Sequence, residues 1–288
     1  MRKVIVTGDD FGLSRSVNEA IERAHREGIL GAASLMVGAP AADDAVARAR
    51  AVPSLRVGLH VVVVNGRPVL PPRDIPDLVD RDGAFSKDLV RAGVRFFFHP
   101  GIRAQLEAEI RAQFEAFRAT GLTLDHVDAQ NHMHVHPTIL SLLLNVGAEY
   151  GMRAMRLPNE PFIASWRSAG GEFRERLGNT LVTGPWVMSM KARLRRAGVV
   201  TNDFAFGMND AGRMTKGRLL KLLPLLPEGV SELFFHPAVG AWDDADPATR
   251  GYAWKEELDA LTSPDVERAL KACGVQRVTF SDLVAARG

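Results

Sequence analysis

Cysteine is almost absent: Cys273 stands alone among 288 residues. One thiol excludes an internal disulfide framework and fits a reducing compartment. Long apolar runs are missing as well. Nowhere do about 18 apolar residues follow one another, so no segment reads as a membrane span. The apolar start from Met1 to Thr7 ends at Gly8-Asp9, too short for the core and cleavage site of a signal peptide. No basic stripe with interleaved aromatics occurs, and the net charge is only +2, which argues against nucleic acid as a partner. No glycine-rich phosphate fingerprint follows the first apolar run, which argues against a dinucleotide-binding sheet. The chain reads as soluble and cytoplasmic.

What is present is a repeating alternation. At 46% hydrophobic content the chain can bury a sizeable core, and residues 1–288 read as a single domain. Lys3–Thr7 is a β-branched run. Ser14–Arg26 has helical spacing, with Val17, Ala20, Ile21 and Ala24 on one face and Gly28 beyond its end. Further strands are expected at 33–37, 55–64, 122–128, 154–157, 204–206, 232–235 and 276–280. Helices are expected between them, with an irregular stretch from Asn65 to about Ser86. Seven or eight short strands alternating with helices argue for a parallel sheet. At this length a distorted TIM-like (β/α) barrel is the expected α/β fold.

Polar clusters punctuate the strand ends. Asp9-Asp10 closes the first and His60 lies in the third. His236-Pro237 closes a late one. The densest cluster runs from His126 to His136 and holds four of the eight histidines in eleven residues. Every histidine and carboxylate in it has an even number. Alternate residues of a strand share a face, so His126, Asp128 and Gln130 are expected to project together, with His132 and His134 following at the strand's end. Such density suits a metal ion or proton transfer near neutral pH. Of two adjacent carboxylates, one can hold a cation while the other acts as base.

The segments TGDDFGLSRSVNEAI at the start, VGLH at 57–60, HVDAQNHMHVHP at 126–137 and FFHPA at 234–238 resemble, in order and spacing, the YdjC/ChbG-like carbohydrate deacetylases. The flanking text SLMVGAPAADDAVARAR, LRVGLHVVVVNGRPVLPP and YGMRAMRLPNEP looks most like the hopanoid-biosynthesis-associated branch. The resemblance implies a distorted TIM-like barrel and metal-dependent removal of an N-acetyl group from an amino sugar. It implies a divalent metal, Mg²⁺ or Zn²⁺, with Asp10 and His60 as ligands. Asp9 would be the base, and His236 the acid to the leaving amine. The family's third ligand is a histidine, and here that position is Gln130. The hopanoid branch implies an N-acetylglucosamine-bearing hopanoid lipid as substrate.

Gln130 leaves three outcomes: a site suited to a hard cation, replacement by His132 or His134, or a metal held too weakly for turnover. Asp128, His132, His134 and Arg156 are expected to line the site. Arg156 either orients a carboxylate or sits on the surface. Residues 185–196 run from Trp186, Val187 and Met188 into Lys191, Arg193, Arg195 and Arg196, a pattern that suits the cytoplasmic surface of an anionic inner membrane and equally an ordinary barrel helix. Phe96, Phe97 and Phe98 would line a lipid channel or lie in the core. A homo-oligomer stays open. Two other readings remain: a catalytically silent barrel that binds a sugar lipid, and a phosphoester hydrolase on the same scaffold.

Overall fold

The structure is a computed structural model that describes residues 1–242, 249 and 251–287. Its centre is a parallel sheet of seven strands among the described residues: β1 (Arg2–Phe11), β2 (Ala32–Leu35), β3 (Arg56–Val61), β4 (Leu124–Ala129), β5 (Phe204–Phe206), β6 (Gly229–Phe235) and β7 (Gln276–Arg277). The path runs β4-β3-β2-β1-β6-β5, with β7 pairing the beginning of β1 through Lys3 and Val4. Short bridges carry the wall onward from β4. Val127 N–H donates to Ala154 O at 3.0 Å, Arg156 N–H to Val127 O at 3.0 Å, and Met155 N–H to Val200 O at 2.9 Å. Ala205 N–H then donates to Asn159 O at 2.9 Å, reaching β5. The sheet curls as a distorted TIM-like barrel, as its sequence predicts.

Helices α1 (Arg15–Glu27) and α2 (Ala42–Ala51) follow β1 and β2. Ser14 caps α1 by accepting the Val17 N–H at 3.2 Å, and Val17, Ala20, Ile21 and Ala24 bury one stripe. After β3 comes the irregular stretch, then α3 (Leu89–Phe98) and α4 (Pro100–Ala119). After β4 come α5 (Pro137–Glu149), α6 (Phe162–Ala169) and the long α7 (Phe173–Arg196). Helix α8 (Lys216–Leu222) follows β5; α9 (Trp254–Leu261) and α10 (Pro264–Ala272) follow β6. Helix α11 (Phe280–Ala285) ends the described chain. The last expected strand therefore stops at Arg277, because Thr279 and Asp282 form a capping box that turns Phe280 into a helix. No described helix is long and apolar enough to cross a membrane.

One alternation sets the barrel's interior. Ile5, Ala154, Val200 and Phe280 form a small apolar plug at the bottom. Above it the inward residues turn polar: Thr7, Ser34, His126, Arg156 and Glu232 are all fully buried. Gly58 lies opposite His126, whose ring atoms come within 2.5–2.7 Å of where a Cβ would sit, so only glycine leaves room for the ring. His126 also stacks on Phe280 at 4.7 Å.

Candidate active site

Asp9 and Asp10 are neighbours on β1, yet both line the same cavity of about 520 Å³. In a regular strand adjacent side chains point to opposite faces. Here the register against β2 shifts between Gly8 and Phe11, and Asp10 takes a left-handed φ of 63°. The bulge breaks the alternation and brings both carboxylates to one rim. Left-handed backbone on a non-glycine residue is a strained state found where a side chain must be aimed.

Arg156 organises the buried side of the rim. It donates from Nη1 to Asp9 Oδ2 at 2.6 Å and from Nη2 to Asp9 Oδ1 at 2.7 Å. Nη2 also reaches Glu232 Oε1 at 2.9 Å, and Nη1 lies 2.8 Å from Asp128 Oδ2. Burial pushes the Asp9 carboxyl up, but the paired guanidinium outweighs it and holds the group below its ordinary value. Burial likewise opposes ionisation of Asp128, yet Arg156 and His60 hold it well below the usual range. The arginine itself is locked in its charged form. Of the two readings of Arg156, orientation of a carboxylate holds and a surface position does not.

His60 sits between two shells. Its Nδ1–H donates to Asp128 Oδ1 at 2.8 Å. Its Nε2 faces Gln130 Oε1 at 2.9 Å and Asp10 Oδ1 at 3.6 Å. Burial lowers the His60 pKa, but Asp128, Asp9 and Asp10 raise it to about 10. Asp10 goes the other way: burial raises it, partly offset by His236 and His60. Its Oδ1 is buried and has no hydrogen-bond partner.

Two donor sets share His60. Atoms of Asp9, His60 and Asp128 lie within 4.8 Å of one another. Arg156 already occupies both oxygens of Asp9 and one of Asp128, and His60 takes the other Asp128 oxygen. In the second set, Asp10 Oδ1 has no partner, and His60 Nε2 and Gln130 Oε1 are engaged only with each other, at 2.9 Å, a contact that a cation would replace. A bare carboxylate oxygen, an imidazole nitrogen and an amide oxygen are a donor mix that fits a divalent cation. Asp128 behind His60 then fixes the ring with its outer nitrogen turned to the cavity, a usual arrangement behind a ligating histidine.

Beyond Gln130 the expected alternation fails. β4 ends at Ala129, and Asn131 and His132 take left-handed φ values of 50° and 54°. His132 packs edge-on against Phe234 at 5.2 Å and His134 at 5.9 Å. Burial, with Arg156 nearby, pushes His132 down to about 3; burial also pushes His134 down to about 4. Both are neutral at pH 7. His236 lines the cavity at the end of β6, with its ring 5.3 Å from Tyr252. Its backbone N–H donates to Glu257 at 2.6 Å. Burial drives Glu257 up to about 6.

Several participants escaped the sequence reading. Ser34 donates to Asp128 Oδ2 at 2.9 Å and meets His126 Nε2 at 3.1 Å, and His126 Nδ1 pairs with Asp125 at 2.9 Å. Glu232 accepts from Thr7 at 2.8 Å. Trp242 and Trp254, with rings 4.9 Å apart, line the cavity beside Tyr252. The signal available for Glu232 was a lone acid inside the apolar run from Val230 to Phe235.

The YdjC-like protein family model matches residues 3–272. The chain belongs to the YdjC-like family. It is 31% identical over 289 residues to the carbohydrate deacetylase of Brevibacillus brevis, covering 98% of this chain and 99% of that protein. It is 31% identical over 288 residues to the carbohydrate deacetylase of Vibrio vulnificus strain YJ016, covering 99% and 97%. The crystal structure of an Enterococcus faecalis V583 protein named for cellobiose-phosphate cleavage superposes with a TM-score of 0.73 at 22% identity, over 98% of each chain. That likeness concerns the fold.

Proposed function

We propose that this YdjC-like protein is a metal-dependent carbohydrate deacetylase, a hydrolase of the amide bond in an N-acetylated amino sugar. The observation that carries the reading is the convergence of Asp10 Oδ1, His60 Nε2 and Gln130 Oε1 beside an ionised Asp9 on one cavity rim. Deacetylase relatives along nearly the whole chain support it. Asp10, His60 and Gln130 would hold the cation. Bound there, a Mg²⁺ or Zn²⁺ ion supplies Lewis acidity towards the acetyl carbonyl and a lowered pKa for water.

The chain's own groups then divide the work. Asp9, kept ionised by Arg156, accepts the proton as the water oxygen adds to the acetyl carbon. The carbon–nitrogen bond breaks, and His236 delivers a proton to the departing nitrogen, giving acetate and a free amine. The neutral His132 and His134 have no proton of this kind to give and shape the wall behind Phe234. Trp242, Trp254 and Tyr252 offer flat apolar faces suited to a sugar ring.

The substrate we favour is an N-acetylglucosamine-bearing hopanoid lipid, on the strength of flanking sequence that resembles that branch. A glycolipid substrate brings the enzyme to the cytoplasmic surface of the inner membrane, with residues 185–196 as contact. The decisive assay is release of acetate and free amine from N-acetylglucosaminyl lipid, abolished by chelation and restored by Mg²⁺ or Zn²⁺. Substrate binding without any turnover at saturating metal would favour the silent sugar-lipid-binding barrel, the reading that Gln130 supports.

A further inference from the structure

Exposed apolar surface on this protein is concentrated. Apart from Met1, every strongly exposed large apolar side chain among the described residues lies on α3, α6 or α7. Val90 is 79% and Phe98 80% exposed on α3; Val182 is 69% and Met188 74% exposed on α7. The helices form one face, because the Phe97 and Trp186 rings meet at 6.1 Å and Phe173 of α7 packs on Trp166 of α6 at 5.2 Å. Soluble monomers rarely expose so much contiguous apolar area without using it.

Charge on this face is mostly positive, its exposed acids standing at the helix starts: Asp88 before α3, and Glu172 and Glu175 at the beginning of α7. Residues 89–106 and 176–202 contain no Asp or Glu, and the second stretch carries Arg176, Lys191, Arg193, Arg195 and Arg196. Asp88 caps the start of α3, accepting the Arg91 N–H at 2.9 Å, and Asp77 and Asp80 share a cavity with Arg91 and Arg95. Arg176 is buried on Asp210 and Glu172, and Arg193 is spent on Pro137 O and Ser141. The exposed cations on these helices are Arg91, Arg167, Arg174, Lys191, Arg195 and Arg196, and the last three cluster at the end of α7.

The face also adjoins the site. Phe97 packs on the His136 ring at 4.1 Å, and His136 Nε2 meets Gly93 O at 3.1 Å. His136 closes the segment that begins with Gln130. We infer that the combined outer face of α3, α6 and α7, rather than residues 185–196 alone, docks on an anionic lipid bilayer, inserting Val90, Phe98, Val182 and Met188 between headgroups. Charge decides between lipid and a second copy of the chain. An isologous dimer through this face would set like cationic ends together, whereas anionic headgroups complement them. The inference rests on the glycolipid reading for its use but not for its test.

The test is co-sedimentation of the full chain with vesicles of phosphatidylcholine plus phosphatidylglycerol, and with phosphatidylcholine alone. Binding to the anionic vesicles, weakened by salt, is expected. Arg195→Glu with Arg196→Glu should weaken it at least about tenfold, since each basic residue near such a surface contributes about fivefold. Phe98→Ser with Met188→Ser should weaken it comparably. No binding to anionic vesicles at low salt overturns the inference, as does equal, salt-independent binding to both compositions. A concentration-dependent dimer that these serine changes dissolve, without vesicle binding, assigns the face to a second copy instead. Acetate release from a soluble N-acetyl amino sugar, measured without vesicles, should be unchanged in both variants. Its absence in the wild-type protein would sink the deacetylase reading and leave the vesicle result standing.

Discussion

Arg156 grips Asp9 through both terminal nitrogens, at 2.6 and 2.7 Å, so the proposed base is ionised and fixed before substrate arrives. A bidentate grip of this kind sets orientation as well as charge. Asp9→Asn should keep the shape and lose the proton-accepting charge. Arg156 would still be compensated by Asp128 and Glu232, so the fold and the cation should stay. Turnover is expected to fall about 10²–10⁴-fold. Undiminished acetate release by a folded, metal-loaded D9N would remove Asp9 from the mechanism.

The same arginine has a structural duty. It faces three buried carboxylates, Asp9, Asp128 and Glu232. Arg156→Met leaves those charges without their cation, and breaking such a buried arrangement costs about 3–5 kcal/mol. Denaturant titration should show that loss at pH 7. It should shrink at lower pH as the freed carboxyls take up protons. A loss below about 1 kcal/mol, within the range of exposed ion pairs, would mean that the site tolerates the bare charges.

Asp128 acts on the cation through His60. Its carboxylate accepts the His60 Nδ1–H at 2.8 Å and so leaves Nε2 facing the cavity. Asp128→Asn can present an N–H there instead, which favours the wrong tautomer. Losing such support lowers metal affinity about 10–100-fold. Calorimetric titration with Zn²⁺ checks this, and unchanged affinity would place the cation away from His60 Nε2.

These predictions draw on residues of unequal visibility in the sequence. Asp9, Asp10, His60, Gln130 and His236 were readable because each ends or interrupts an apolar run, and the barrel then gathers strand ends on one rim. The parallel alternation was readable for the same reason: β-branched runs and amphipathic stripes repeat along the chain. His132 misled, because even spacing carries meaning only while the chain stays extended, and the backbone turns left-handed at Asn131. Ser34, Asp125 and Glu232 were silent because single polar residues in buried strands reveal their partners only when distant strands close. The run from Phe96 to Phe98 read as core or channel. It is one helical turn that buries Phe96 and exposes the two residues after it.

Glu257 gives a pH dependence with a definite sign. It is fully buried and accepts backbone N–H groups of Met214 and His236 at 2.8 and 2.6 Å, while its pKa stands at about 6 against 4.5 unfolded. A raised carboxyl pKa means the folded state holds its proton longer. That contribution is full below pH 4.5 and fades as pH rises through about 6. It amounts to about 2 kcal/mol. Glu257→Gln should flatten the stability difference between pH 4.5 and pH 7 by that amount relative to wild type. Identical pH profiles for the two proteins would show that Glu257 does not titrate in this window.

Gln130 offers the sharpest test of the cation site. Its Oε1 meets His60 Nε2 at 2.9 Å, where a shared ligand would bring the two together. An imidazole binds first-row divalent metals more tightly than a carboxamide oxygen does. Gln130→His is therefore expected to tighten Zn²⁺ binding at least about tenfold, or about 1.4 kcal/mol. Mg²⁺, which prefers oxygen ligands, should gain nothing and should lose ground to Zn²⁺ in competition. His132 cannot substitute without undoing the left-handed turn at Asn131 and its packing on Phe234, so the added histidine meets no rival in the shell. Where weak binding limits turnover, acetate release at low Zn²⁺ should rise in step with affinity. Equal Zn²⁺ affinity in the two proteins would mean that residue 130 does not touch the cation, and would leave the Asp9, His60 and Asp128 set as the remaining place to seek it.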